Sequence, residues 1–264
     1  MKRQDYNSEI VAQLIYNYQT LKMPLIKCGE KFGISKAVAK RILQENNIHI
    51  RTNGEVHRKY NANDSFFSVE SANMAYVLGF IAADGSISKN DNRIKIGLST
   101  RDKEQLELIK AIMGIDYPIK DYISSENYEV SELIWTCQQH KIDLAKYGVV
   151  PNKTYSLVFP KQLNKQYWRD FIRGYFDGDG CVTGRKPEWK ICAYKKEILE
   201  TINDFFYENG IEKVDIIKRK NENLYDIRFA SLTSLRKIYQ LIYYSDDIPY
   251  LKRKKEKFDS YKMI

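Results

Sequence analysis

Two stretches of this 264-residue chain end on the same residue pair, aspartate followed by glycine, with the aspartates 95 positions apart. The first reads Val77-Leu78-Gly79-Phe80-Ile81-Ala82-Ala83-Asp84-Gly85. The second reads Ile172-Arg173-Gly174-Tyr175-Phe176-Asp177-Gly178-Asp179-Gly180. Asp84 and Asp179 are the side chains whose type and spacing point to chemistry. Each closes an apolar segment with small residues four apart (Gly79 and Ala83, Gly174 and Gly178). That spacing makes a flat stripe on a helix, along which two helix backbones can approach closely. A glycine just past each helix suits a left-handed cap. The aspartate is out of place, because the C-terminal end of a helix dipole is negative. If the two helices pack side by side, their carboxylates meet at one edge. Like charges that close repel unless one takes up a proton or a cation sits between them. The pair therefore predicts a divalent metal site, held by Asp84 and Asp179 at the seam of a pseudo-twofold. Either aspartate alone would be read as a turn residue between helix and strand. Asp177, a third acid nearby, is read as a helix-face residue and not a ligand, since its counterpart in the first copy is Ala82.

The elements that must position these carboxylates recur with the motifs. After the first copy, Arg93–Ser99 alternates apolar and polar as a strand does (Ile94, Ile96, Leu98), and a helix follows over 102–113. Strands are expected at about 117–123 and 129–137, then a helix at about 138–147. After the second copy come a strand over 188–193, a helix over 196–208, strands near 212–219 and 223–230, and a helix over 231–243. Lys190-Ile191 stands 95 residues after Lys95-Ile96. An order αββαββα thus occurs twice, with the first hairpin of each copy the weakest part of the pattern, and the drift of only a few residues marks a duplication. The fold class is α+β, a duplicated αββαββα unit with antiparallel sheets.

Ahead of the repeats lies a small helical unit. Ile10, Val11, Leu14, Ile15 and Tyr18 fall at helical spacing, and a break comes at Met23-Pro24. Gly33 marks a tight turn, Ile34 is placed to plug the core, and Ser35 is a fitting N-cap. The helix over 36–46 buries Val38, Ile42 and Ala39 or Leu43, and leaves Lys36, Lys40 and Arg41 outside. Helix, glycine turn, basic helix is the helix-turn-helix arrangement, in which those three cations would contact DNA; an ordinary helical hairpin with a solvated basic face is the plainer alternative. Residues 51–69 are polar and aperiodic and are assigned as a linker. The expected division is 1–50 helix-turn-helix, 51–69 linker, 70–160 first repeat, and 161–264 second repeat with a basic tail.

The net charge is +9, and its excess sits at the two ends. Residues 1–60 carry 11 Lys/Arg against 5 Asp/Glu, and residues 250–264 carry 6 against 2. This placement suits a protein of polyanions, although basic ends also serve solubility. An apolar fraction of 43% supports a real core. The four cysteines show neither C-x-x-C spacing nor a ligand pattern with the three histidines, and are read as reduced thiols. The N-terminus leads into no apolar h-region, and no apolar run approaches the ~18 residues of a membrane span. The expectation is a cytoplasmic or organellar protein that is neither secreted nor membrane-bound. The 20 tyrosines are read as strand and core residues.

The double motif and its spacing resemble the two-motif, monomeric LAGLIDADG homing endonucleases, over roughly residues 70–260. The resemblance implies a saddle whose antiparallel strands lie in the DNA major groove. Lys95, Lys190 and Arg228 on those strands would then contact DNA. It also implies one lysine beyond the last helix of each repeat. In the first repeat Tyr147-Gly148-Val149-Val150-Pro151-Asn152-Lys153-Thr154 matches that pattern and offers Lys153. In the second, Tyr250-Leu251-Lys252-Arg253-Lys254-Lys255 offers Lys254, with Arg253 or Lys252 as alternatives because the register is open. Lys153 could equally be a phosphate-contacting loop residue, and the tail a solvated basic helix start.

The function expected is double-strand DNA cleavage at a specific site. Divalent ions lower the pKa of bound water and offset charge developing on a phosphate. Mg²⁺ accepts one or two protein carboxylates and fills its remaining positions with water and phosphate oxygens, and Mn²⁺ would serve in its place. Metal-free acid–base hydrolysis by the same pair is the weaker choice for a DNA substrate. The catalytic set is Asp84, Asp179, Lys153 and Lys254. The partner is double-stranded DNA, with no membrane and no obligate protein partner, and the gene product is expected to be free-standing or intron-borne. Two rivals stand beside this reading. One is a transcription regulator that keeps the duplicated fold without cutting; the other is an RNA splicing cofactor, supported by the basic surface alone.

Overall fold

The computed structural model describes residues 6–51, 56, 59–182, 187–220 and 222–260. It divides into two compact units, Met1–Lys59 and Tyr60–Ile264.

In the first unit, α1 (Ser8–Gln19), α2 (Leu25–Glu30) and α3 (Lys36–Glu45) enclose a core of Leu14, Tyr18, Cys28, Ala39, Ile42 and Leu43. The turn between α2 and α3 is the expected one. Gly33 is left-handed (φ 64°), and the Ser35 hydroxyl accepts the Val38 N–H at 3.3 Å as N-cap. A methyl group at Gly29 would stand 2.6 Å from the Ile34 carbonyl oxygen, so only glycine lets the turn fold back onto α2. Val38 is only partly covered, and Ala39 and Leu43 are both buried.

The linker assigned to 51–69 is shorter than expected. Arg51 belongs to the first unit: its backbone N–H donates to the Tyr18 hydroxyl at 2.7 Å, and its guanidinium lies 4.3 Å from that ring. Residues 60–69 belong to the second, where Ala62 and Phe67 are buried. Asn61 and Asn63 donate their amide groups to the carbonyls of Gly114 (2.8 Å) and Met113 (2.7 Å), capping the end of the helix over 103–113. Composition misleads here because these asparagines cap a helix, a polar duty that resembles solvation in the sequence.

The second unit carries the duplication. The first half runs α4 (Ala72–Asp84), β1 (Gly85–Ile87), β2 (Arg93–Ser99), α5 (Lys103–Met113), β3 (Ile119–Ile123), β4 (Glu129–Thr136) and α6 (Gln138–Lys146). The second half repeats the order with α7 (Trp168–Asp179), β5 (Cys181–Val182), β6 (Trp189–Ala193), α8 (Lys196–Glu208), β7 (Ile216–Lys218), β8 (Tyr225–Phe229) and α9 (Leu232–Ile242). A last helix, α10 (Lys252–Asp259), follows. Each half forms a four-stranded antiparallel sheet, ordered β1-β2-β4-β3 and β5-β6-β8-β7. Alternate strand residues turn toward the helices: Ile94, Ile96, Leu133 and Trp135 in one sheet, Trp189, Ile191, Ile227 and Phe229 in the other. All join one hydrophobic core with α4 and α7. β7 begins later than its pattern suggests. The Asn203 side chain bonds both the carbonyl and the N–H of Val214, taking the backbone groups that a longer strand would pair.

Candidate functional site

The two motif helices pack along their small-residue stripes. A methyl group built on Gly79 would lie 2.1 Å from the Phe171 carbonyl oxygen and 2.8 Å from the Tyr175 nitrogen. One on Gly174 would lie 2.0 Å from the Tyr76 oxygen and 2.9 Å from the Phe80 nitrogen. Each glycine meets the positions that correspond, 95 residues on, to those its partner meets. This is a backbone-to-backbone crossing about a pseudo-twofold. Nearer the helix ends Gly178 faces Ala83, and a Cβ there would be 2.3 Å from the Ala83 Cβ and 3.3 Å from Asp84 Oδ2.

The caps differ from expectation. Gly85 (φ −74°) and Gly180 (φ −79°) are extended, not left-handed. Their glycine requirement comes from crowding. A Cβ on Gly85 would sit 2.5 Å from the Ile81 Cγ2 and carbonyl oxygen, and one on Gly180 would sit 2.1 Å from the Phe176 ring. The chain leaves each helix directly into β1 or β5, and the aspartate remains at the edge where the helices part.

There Asp179 acts on Asp84. Burial, followed by repulsion from Asp179, pushes the Asp84 carboxyl up to about 6. Asp179 reaches solvent with its side chain, yet the protein crowded around it raises its carboxyl as well, against the pull of Lys153 and Lys254. Lys153, on a short 3₁₀ turn (Lys153–Tyr155), is 8% exposed and donates to the Ala83 carbonyl at 3.2 Å. Lys254, on α10, is 5% exposed and donates to the carbonyls of Phe176 (2.7 Å), Asp177 (2.7 Å) and Gly178 (2.9 Å). Ala83 and Gly178 are counterparts, so each lysine cation caps the negative end of its own motif helix, which offsets an aspartate in that position. Burial lowers both ammonium groups, Lys254 to about 8.

The lysines are not equivalent. An ammonium has three N–H donors. Lys254 spends all three on backbone carbonyls, whereas Lys153 has one such bond. The open register of the tail is also resolved. Arg253 pairs with Asp102 at 2.8 Å, Lys252 is exposed, and Lys254 turns inward on the same face as buried Phe258. The tail does start a basic helix with Lys252 and Arg253 exposed, and Lys254 is the cation of that turn drawn inside. Leu251, Lys254 and Phe258 follow helical spacing, and that is the sequence signal that singles out Lys254.

Asp177 and Arg173 carry more than the sequence indicated. Asp177 is 1% exposed, and its Oδ2 accepts the Tyr76 hydroxyl (2.8 Å) and the Leu251 N–H (2.7 Å), tying α4 and the start of α10 to α7. Burial raises its carboxyl, which Lys254 opposes. Arg173, inside α7, is fully buried and donates to Asp170, Ile242 and Pro249. The Asp170-x-x-Arg173 spacing was its only trace in the sequence.

The remaining basic candidates are surface groups. Lys36 and Lys40 stand free on the exposed face of α3; Arg41 is half-buried and lies 3.9 Å from Glu45. Lys95, Lys190 and Arg228 turn away from the helices, each engaged by a carboxylate: Glu132 for Lys95 (2.8 Å), Asp226 for Lys190 (3.0 Å) and Arg228 (2.7 Å). Among the described residues no cluster of three or more His, Cys, Asp or Glu could hold a metal, and no helix is long and apolar enough to cross a membrane. Two carboxylates fit a hard cation that completes its shell with water and phosphate oxygens.

Known proteins are similar to this chain. The chain is 24% identical over 192 residues to the DNA-directed RNA polymerase subunit Rpo1C of Methanocaldococcus jannaschii, covering 69% of this chain and 21% of that one. It therefore spans about a fifth of the length of that relative. Full-length DUF199/WhiA from Thermatoga maritima is 13% identical, with a TM-score of 0.48 over 77% of this chain and 66% of that one. Mesophilic variants of the homing endonuclease I-DmoI are 15% identical, with a TM-score of 0.48 over 72% of this chain and 96% of theirs. The LAGLIDADG-like domain matches residues 71–134 and 167–248, the two halves just described. With more than half its length inside that match, the chain belongs to the LAGLIDADG-like domain family.

Proposed function

We propose that this protein is a site-specific endonuclease of duplex DNA, of the homing type, acting as a monomer with a divalent cation held by Asp84 and Asp179. The observation that carries the reading is the convergence of two coupled carboxylates, one from each half, at the open end of the helix seam. A binder gains nothing from a second acid placed where it raises the proton affinity of the first. When bound, Mg²⁺ or Mn²⁺ activates water and offsets charge on the phosphate. The chain's own groups do the rest. Asp84 and Asp179 would hold the cation as carboxylates, any proton on them being released to solvent as it binds. Lys153, with donors to spare, orients a water or holds a phosphate oxygen beside them. Lys254 contributes its charge from within the helix end and fixes where Asp179 stands. Both acids come from one chain, so a second copy is not needed. In the first unit Lys36 and Lys40 on α3 add contacts to flanking duplex, with Arg41 weaker because of Glu45.

A duplex library of random sequence tests this. Cut ends should accumulate with Mg²⁺ and not with EDTA. One observation favours the rival reading, a regulator that binds DNA without cutting: the Lys254 ammonium is saturated by backbone carbonyls. Tight binding of the library with Mg²⁺ and no cut ends would establish that reading instead.

A further inference from the structure

The faces of the two sheets that turn away from the helices are built on one plan with different side chains. The ladders place Lys95 opposite Ile134 and Lys190 opposite Arg228, so these residues correspond in pairs. Two positions earlier on the central strands, Glu132 corresponds to Asp226. On the edge strands Lys120 faces Glu132 and Ile217 faces Asp226, so Tyr122 and Arg219, two residues further on, correspond as well. The contacts obey the same correspondence. Glu132 accepts from Lys95 at 2.8 Å and from the Tyr122 hydroxyl at 2.8 Å. Asp226 lies 3.0 Å from Lys190, and accepts from Arg219 Nε at 2.8 Å and from Arg228 Nη2 at 2.7 Å.

Each acid is covered by what clasps it: Asp226 is 1% exposed although it lies on the open side of its sheet. Its hydrogen bonds from Arg228 and Lys190 outweigh burial and hold its carboxyl below the usual range. The difference between the faces is what the clasp presents outward. In the second sheet it is two guanidinium groups, one on each side of a fixed carboxylate. Arg219 also donates Nη1 to Glu222 at 3.1 Å and Arg228 Nε lies 3.8 Å from Glu188, so Arg219 Nη2 and Arg228 Nη1 are the nitrogens without a carboxylate partner among the described residues. In the first it is a tyrosine ring, the apolar Ile134 and the exposed Lys120, a point charge without a fork that stands where the second sheet has Ile217. An arginine whose plane is fixed by a carboxylate is pre-organised for a bidentate contact, and in the major groove the bidentate acceptor for it is the O6/N7 edge of guanine. A tyrosine ring and an isoleucine offer no such fork; their match in that groove is the thymine methyl.

We propose that Arg228 and Arg219, positioned by Asp226, read guanine in the half of the target under the second sheet, and that the corresponding place in the first sheet, Tyr122 and Ile134 around Glu132, reads by apolar contact. The target is then asymmetric, with guanine contacts confined to one side. The proposal rests on duplex DNA being the ligand. It adds the base chemistry, the polarity of the site, and a positioning role for Asp226.

Selection of bound duplexes from a random-sequence pool, without divalent cation, tests it. Wild-type protein should enrich sites with guanine at defined positions in one half only. Arg228→Lys keeps the charge but loses the fork. It should lose about tenfold of the discrimination at one guanine, with the preference at every other position kept. Ile134→Arg should gain a guanine preference at the mirrored position, where Glu132 is ready to hold the new guanidinium. Circular dichroism confirms that each variant is folded. Sites equally guanine-rich in both halves, or an Arg228→Lys variant as discriminating as wild type, would overturn the base assignment. No enrichment of any duplex would overturn the DNA-binding reading beneath it.

Discussion

Asp84 shows how location sets the behaviour of a side chain. Partial burial, followed by repulsion from Asp179, pushes its carboxyl up to about 6. A carboxyl raised in the folded state binds more protons folded than unfolded, from its ordinary 3.8 up to about 6. Its contribution to stability is therefore present at low pH and is lost as pH rises through that window. A divalent cation reverses the loss once the proton has left. The melting temperature should rise with Mg²⁺ more at pH 7.5 than at pH 5, and in Asp84→Asn both the cation effect and its pH dependence should shrink. An equal Mg²⁺ effect at both pH values would remove Asp84 from the cation site. The two lysines should separate in a similar comparison. Lys254→Met removes three hydrogen bonds, two of them buried, and should lower stability by about 2 kcal/mol or more, measured by urea unfolding. Lys153→Met should lower cleavage by at least tenfold with a smaller change in stability.

At the scale of elements, the helix seam decides whether the two acids meet. Gly174→Ala would push a methyl group to 2.0 Å from the Tyr76 carbonyl, which neither rigid helix can evade. The expected cost is about 3 kcal/mol, read in the same urea titration, with cleavage lost as the seam opens. A neutral Gly174→Ala would show that the helices do not cross so closely. This seam was legible in the sequence because a close crossing demands small residues at fixed spacing, and the strands were legible because one face of each must be apolar. The caps were not. Gly85 and Gly180 are required by the Ile81 and Phe176 side chains, which no local pattern reveals. Nor were the clasps of Glu132 and Asp226, since cross-strand partners depend on register. Asp177 lies on the helix face as expected, but its buried hydrogen bonds were not legible, because a duplication argument sees what the halves share and its repeat mate is Ala82. Its partners, Tyr76 and Leu251, lie 101 and 74 residues away in the chain.

In the whole molecule the charge excess is divided among parts with separate duties. The first unit carries its own core and an exposed basic helix, so removal of residues 1–59 should leave the remainder folded. If Lys36 and Lys40 neutralise phosphates, that deletion should reduce the slope of log affinity against log salt by about one for each phosphate left unpaired. An unchanged slope would show that the first unit does not touch DNA. The division between units, at 59/60, falls inside the stretch assigned as linker, but that stretch was drawn too long because polar residues that cap a buried helix resemble a solvated linker. By contrast, the duplication was legible from two nonapeptides, because both halves must obey the same packing. The most direct measurement is paramagnetic titration of Mn²⁺ into protein held on a duplex pool, for wild type, Asp84→Asn and Asp179→Asn. Loss of the bound ion in both single variants, with DNA still held, is the predicted result. Wild-type Mn²⁺ binding in either variant would contradict a cation shared by the two halves.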